Sequence, residues 1–352
     1  MDNYTSQKIK IASFLLMIMV VFLHSYNLDI KQGSELVFFE KDYNWAIQNF
    51  ISNGITRIAV PLFFLISGFL FIQSPSFGIE DYKIKVGKRF KTLVIPYLFW
   101  TLFGLLLYFT MQSIPQSQEF FTKKLIKDYT FIEWLNAILI EPIPYQLWFL
   151  KDLIVMVFIS PLIVFAVKKL RILFLAVVFL FWLFNQDSVF LTSEALLFFS
   201  AGMYLSLFRP EIIALKGNKT FVILVIWIVI LIAKTLLPLF ITNTFLVSTL
   251  LKASILFGIV AFWWFLDRFA NGIALIQIFQ FALTFSFFLY LFHEPLLTIV
   301  KKALFAMLSF SSFTSLIIYL VAPIMSIIIC IFVGVIYKSI AKNLYHFSTG
   351  GR

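Results

Sequence analysis

His24 closes an apolar run that opens at Lys8, KIKIASFLLMIMVVFLHSYN over residues 8–27. Imidazole is the side chain whose ordinary pKa suits proton transfer near neutral pH. At the end of an apolar stretch it is costly unless it faces protein or a wet cavity, which makes it a candidate functional group. Arg57, Trp148, Lys151, Glu194, His293 and Glu294 also stand at the ends of apolar runs. Together these types could take up or hand on a proton, or pair with one another as structural ion pairs. The single cysteine, Cys330, lies inside an apolar run, so no intramolecular disulfide and no cysteine metal site are expected. No other metal site is visible.

These groups need a frame, and the composition says which kind. The chain has 352 residues, 61% of them hydrophobic, with a mean hydropathy of +0.98. Soluble domains hold about 45–50% apolar residues, so a polytopic membrane helix bundle is expected, all-α and a single domain over 1–352. Ten spans fit the apolar runs, near 9–28, 53–73, 91–111, 146–167, 171–185, 191–208, 219–240, 243–266, 276–299 and 313–337. The first is read as a retained span rather than a cleaved signal, because no small-residue cleavage site follows it. Most lysines and arginines then fall in loops on one side. They include Lys8 and Lys10, the Lys83–Lys91 cluster, Lys168 to Arg171, and Lys338 with Lys342. Both termini are therefore expected in the cytoplasm. The formal charge of +11 is distributed as loop charge, not as a nucleic-acid footprint. Gln32 to Asn49 reads as a polar outer loop, and Phe120–Ile140 as an interfacial amphipathic helix or a packed surface loop.

In this topology His24, Arg57, the Gln146–Asp152 stretch, Glu194 and the His293–Glu294 pair reach one depth near the outer side. Scatter does not produce this readily, since a charge at the bilayer centre costs about 2.5–3.5 kcal/mol on insertion scales. Within the first span, Lys10, Ser13, Met17 and His24 share one helical stripe, because 11 and 14 residues are close to whole numbers of turns. One helix face thus carries a cation at one end and an imidazole at the other.

Five stretches occur in an order that resembles the acyltransferase family 3 membrane proteins. They are His24, the run from Arg57 to Phe69 (RIAVPLFFLISGF), the run from Lys88 to Tyr97 (KRFKTLVIPY), Gln146 to Asp152 (QLWFLKD), and Tyr290 to Leu296 (YLFHEPL). The resemblance spans nearly the whole chain and itself implies ten spans. It implies an integral protein of the bacterial plasma membrane that moves an acyl group, usually acetyl, from cytoplasmic acyl-CoA to a hydroxyl. The acceptor would be a cell-surface glycan or its lipid-linked sugar precursor. It implies that His24 is catalytic and that the basic cluster Lys88, Arg89 and Lys91 holds the CoA phosphates. The family's arginine eleven residues before the histidine is Ser13 here, with Lys10 one turn below it. Trp148, Lys151 and His293 become acceptor-side binding candidates, with Arg57 and Glu294 beside His24. Membrane lipids are the expected surroundings, with no nucleic acid and no metal. A second class, an exporter or flippase for a polysaccharide or lipid-linked sugar, fits the intramembrane charges Lys234 and Lys252. Against it, no inverted repeat is visible.

Overall fold

A computed structural model describes residues 2–32, 35–72, 77–114, 124–217, 219–269 and 277–351. Helix α1 (Asn3–His24) begins where the Asp2 carboxylate accepts the amide of Thr5, and ends where the apolar run does. A two-stranded antiparallel hairpin follows, β1 (Asp29–Gln32) with β2 (Glu35–Phe38). The next helix, α2 (Tyr43–Ile51), is capped by Asp42, which accepts from the amides of Asn44 and Trp45. The stretch expected as an outer loop thus carries helix α2 and described strand residues, a two-stranded hairpin beside an otherwise helical fold. Its polarity misled because Asn44 and Gln48 are buried, not solvated.

A short 3₁₀ turn (Ile55–Ile58) leads into α3 (Ala59–Phe71). Then come α4 (Ile79–Arg89), a π turn at Phe90–Val94, and α5 (Ile95–Ser113). Helix α6 (Phe131–Leu139) occupies only part of the expected 120–140 helix, whose residues 120–123 lie outside those described. Thr130 and Glu133 cap it reciprocally. The Lys124 ammonium, 2.7 Å from Glu133, holds that carboxyl down at about 2. Exposed Phe131, Ile132 and Leu139 give α6 the apolar outer face of an interfacial helix.

The remainder is α7 (Trp148–Leu170), α8 (Ile172–Leu183), α9 (Ser193–Phe208), the single turn α10 (Glu211–Ala214), α11 (Thr220–Leu236) and α12 (Thr244–Leu266). After it come α13 (Gln277–Leu283), α14 (Ser286–Met307), α15 (Ser312–Ile340) and α16 (Lys342–Ser348). Among the described residues seven helical stretches are long and apolar enough to cross a membrane, or eight if α13 and α14, bent by 71°, make one. The fifth and sixth expected runs appear as α8 and α9, of 12 and 16 residues. At about 1.5 Å per residue neither matches a hydrocarbon core of roughly 30 Å.

The tightest pairing is α3 against α9. A Cβ on Gly68 would sit 2.0 Å from the carbonyl oxygen of Phe199, and one on Gly202 would sit 2.0 Å from that of Leu65. Two glycines thus let two backbones touch, the small-residue mode of membrane helix packing. Gly68 belongs to the Ser67-Gly68-Phe69 sequence, whose small residues imply such a close approach. Its neighbour Ser67 turns the other way, into a cavity. Because the blocking atoms are backbone, Gly68→Ala and Gly202→Ala are each expected to cost about 1–3 kcal/mol. A lowered melting transition of the detergent-solubilised protein, by several degrees in each variant, is the check.

Candidate active site

The end of α1 is held from every side. Ser25 donates to the carbonyl of Tyr319 at 2.8 Å, and Ser52 donates to the carbonyl of Phe22 at 2.8 Å. Gln48 accepts from the Asn27 amide at 3.0 Å and donates to the side-chain oxygens of Asn27 and Asn44, each at 2.7 Å. Ser315 closes the ring, donating to Asn27 at 2.8 Å and accepting from Asn44 at 3.0 Å. Last, Lys301 Nζ donates to the carbonyl of His24 at 2.8 Å. A cation at a helix C-terminus satisfies carbonyls the helix leaves open and opposes the negative end of its dipole. Lys301 is thereby a cap on the end of α1 and not a free loop cation.

With its backbone fixed, the His24 ring meets two others. His293 stacks on it at 5.5 Å between centroids, and Tyr145 approaches edge-on at 5.1 Å. His293 is fully buried, with Nδ1 2.9 Å from the carbonyl oxygen of Tyr290 and 3.1 Å from that of Leu289. The Tyr145 hydroxyl donates to Glu294 at 3.1 Å, and Thr298 donates to the other carboxylate oxygen at 2.9 Å. The non-helical backbone at Glu294, before Pro295, turns this pair off the helix axis.

Two cavities meet at His24. Cavity A, about 740 Å³, follows the α1 stripe and is lined by Lys10, Ser13, Met17 and His24. Fourteen residues of helix separate Lys10 from His24, about 21 Å. The Lys10 end also carries Arg89 and Lys338, and no carboxylate lines the cavity among the described residues. Cavity B, about 330 Å³, lies on the other side of His24. Its polar walls are Arg57, Asp187, Glu194 and Lys252, with the indoles of Trp148 and Trp182. His24, Leu23, Val60 and Trp148 border both. In cavity B, Lys252 is tied to Asn185 at 2.7 Å and the Leu183 carbonyl at 2.8 Å. Asp187 accepts from the amide and hydroxyl of Ser193, both at 2.7 Å, and Trp182 donates to Glu194 at 3.4 Å. Among the described residues the half-buried Arg57 guanidinium has no hydrogen bond or ion pair.

His24, Arg57, Trp148 and Glu194 thus border one space, while the other candidates stand apart from it. Lys151 lines neither cavity, because its ammonium turns to Asp152 at 3.3 Å. Glu294 does not touch the His24 ring and borders a third, small void beside Tyr145. His293 lies behind His24 rather than on a cavity wall. In the Lys88-Arg89-Phe90-Lys91 cluster only Arg89 reaches cavity A, since helical rotation leaves Lys88 and Lys91 exposed. Sequence reasoning missed Tyr145, Asp187, Trp182 and Lys338. Lys338 was visible only as one more loop cation, and an isolated Asp187 carries no pattern. Among the described residues no group of three His, Cys, Asp or Glu is placed to hold a metal.

The family model described as "Acyltransferase domain" in acyltransferase family 3 matches residues 9–335. The chain belongs to that family. The chain is also similar to the succinoglycan biosynthesis protein ExoH of Rhizobium meliloti (strain 1021), at 27% identity over 212 residues. The alignment covers 59% of this chain and 55% of that relative, so it spans about half the relative's length. No solved structure matches the chain. Family membership and the apolar helices make it a multi-pass membrane protein.

Lys301 donates to the backbone carbonyls of His24 at 2.8 Å and Tyr26 at 3.4 Å and lines neither cavity, so its expected effect is on the placing of the His24 ring. Lys301→Met is expected to lower kcat about tenfold with little change in the KM of either substrate, and Lys301→Arg to restore it. Steady-state kinetics in both substrates separate this from a folding defect, which would lower active enzyme alike in both variants.

Proposed function

We propose that the protein transfers an acyl group, acetyl first among the candidates, from cytoplasmic acyl-CoA to a hydroxyl of a polysaccharide or lipid-linked sugar at the outer side of the bacterial plasma membrane. The observation that carries this reading is that His24 borders both cavities. In this reading all ten apolar runs cross or deeply enter the bilayer and both termini are cytoplasmic. The Lys10 end of cavity A then opens to the cytoplasm and cavity B to the outside.

Cavity A suits a long, slender donor with an anionic head. Lys10, Arg89 and Lys338 meet its phosphates, where charge matters more than fine geometry. The apolar walls along Met17, Val20 and Phe63 receive the arm that carries the thioester toward His24. Cavity B suits a sugar. Trp148 and Trp182 offer flat apolar faces, and Asp187, Glu194 and Lys252 offer groups that hydrogen-bond hydroxyls.

His24 takes the acceptor's hydroxyl proton on a ring nitrogen as the oxygen bonds to the thioester carbonyl carbon. Charge moves onto the carbonyl oxygen, and the unpaired guanidinium of Arg57 is the donor beside His24 that meets it. The oxyanion then re-forms its double bond, the carbon–sulfur bond breaks, and His24 returns the proton to the departing thiolate. His293 and Tyr145 keep the imidazole between the two cavities, with Glu294 fixing the Tyr145 hydroxyl.

A positioned base is worth about 10²–10⁴-fold, so His24→Ala should leave no acylated glycan detectable by mass spectrometry while the protein inserts and melts as the wild type. Unchanged acylation in that variant overturns the reading. On the donor side, Arg89→Ala should raise the KM for acyl-CoA about tenfold and leave the acceptor KM alone. Ser13→Arg, which restores the cation usual in the family, should be tolerated and lower the acyl-CoA KM. Loss of all activity there would show that the α1 stripe is packed rather than ligand-lined.

A further inference from the structure

Beside cavity B, and sharing Arg57 and Leu251 with it, lies another cavity of about 400 Å³ between α2, α11 and α12. Its polar walls include Trp45, Asn53, Arg57, Lys234 and Thr235, and no carboxylate lines it among the described residues. Lys234 is buried, yet its ammonium meets only neutral groups. It donates to the Asn53 carbonyl at 2.6 Å and reaches that of Asn49 at 3.5 Å. At the rim Lys41 stands 5.7 Å from the centre of the Trp45 ring and 3.4 Å from the Pro238 carbonyl oxygen. The buried hydroxyl of Thr235 has no hydrogen-bond partner among the described residues.

Capping the end of α2 explains why one lysine tolerates burial, but not why a second cation shares its void. Arg57 makes no ion pair with Glu194, the acid across cavity B. Two cations border one void that no carboxylate lines among the described residues, and like charges brought together there repel unless an anion enters between them. Guanidinium, ammonium and a spare hydroxyl are also the donor set that recognises phosphate or carboxylate oxygens.

We propose that this cavity is an anion subsite of the acceptor. It would hold a phosphate or carboxylate borne by the acceptor next to the sugar that cavity B presents to His24. Arg57, in the shared wall, would couple the two spaces. The proposal rests on cavity B being the acceptor site, and it narrows the acceptor to an anionic one. The chemistry is shared by a lipid-linked sugar phosphate and by an acidic sugar.

Binding of glucose 1-phosphate, glucuronate and uncharged methyl glucoside to the detergent-purified full chain, read by tryptophan fluorescence, tests this. Wild type should bind at least one charged probe about tenfold more tightly than methyl glucoside. Lys234→Met should bring that preference to about twofold or less, and Lys234→Arg should retain it, with melting transitions reporting folding. His24→Ala should keep the preference, so loss of the catalytic reading would not by itself remove the subsite. Preference for the phosphate assigns a lipid-linked sugar phosphate, and preference for the carboxylate an acidic sugar; either upholds the subsite. Equal binding of all three probes by wild type overturns it, without needing any variant to fold. It is also overturned if a folded Lys234→Met keeps the preference, or if phosphatidylglycerol nanodiscs, but not phosphatidylcholine ones, abolish glucose 1-phosphate binding.

Discussion

A helix ending inside a membrane protein leaves backbone carbonyls that water does not reach, and the fold of this protein is arranged to satisfy those of α1. Phe22 and His24 give their carbonyls to Ser52 and Lys301, and the residues just beyond are held by Tyr319, Gln48 and Ser315. The partners come from α2, α14 and α15, elements far apart in the chain. A buried polar network of this kind is demanding, because each unmade bond would cost about 1–3 kcal/mol. Once complete, it permits one geometry. The His24 ring inherits that geometry, and the placement of both cavities follows from it.

The same constraint separates two electrostatic environments. Cavity A is walled by apolar side chains and has cations only at its far end. Cavity B mixes both signs with amide and indole donors. In the proposed reaction a single imidazole between them faces a thioester on one side and a hydroxyl on the other, and neither ligand needs to enter the other's space. The close backbone contact of α3 and α9 serves this division. Gly68 faces α9, and Ser67 on the next helical position faces cavity A. Arg57, at the foot of α3, opens into cavity B.

The outline of this arrangement was legible in the sequence. All ten apolar runs are helical over most of their length, and the stripe of Lys10, Ser13, Met17 and His24 lines one cavity because helical periodicity leaves little freedom. What was hidden depends on contacts between distant segments. Asn44 and Gln48 sit in a stretch whose polarity suggests a solvated loop, yet they are buried against α15. Lys151 has the right type at the right depth, and only its neighbour Asp152 draws it away. Glu294 has the chemistry of an orienting acid but reaches the imidazole through Tyr145 alone. Depth along the membrane can be read from hydropathy, whereas direction around a helix axis near a kink such as Glu294–Pro295 cannot.

Ser13 stands where the resemblance to the family implies an arginine. Its hydroxyl bonds back to the Ile9 carbonyl at 2.8 Å, so it presents little to a ligand. The cations of cavity A instead come from three segments: Lys10 on α1, Arg89 at the end of α4 and Lys338 near the end of α15. Phosphate recognition by clustered charge is diffuse, since its strength follows the summed field more than any single geometry. A cation lost from one wall can therefore be offset by another, provided no acid enters the cavity. Proton transfer permits no such substitution, because it demands one ring at hydrogen-bond distance from its partner. In the proposed reaction the cation-lined end of cavity A therefore tolerates a change of composition that the His24 end, held by its network of bonds, does not.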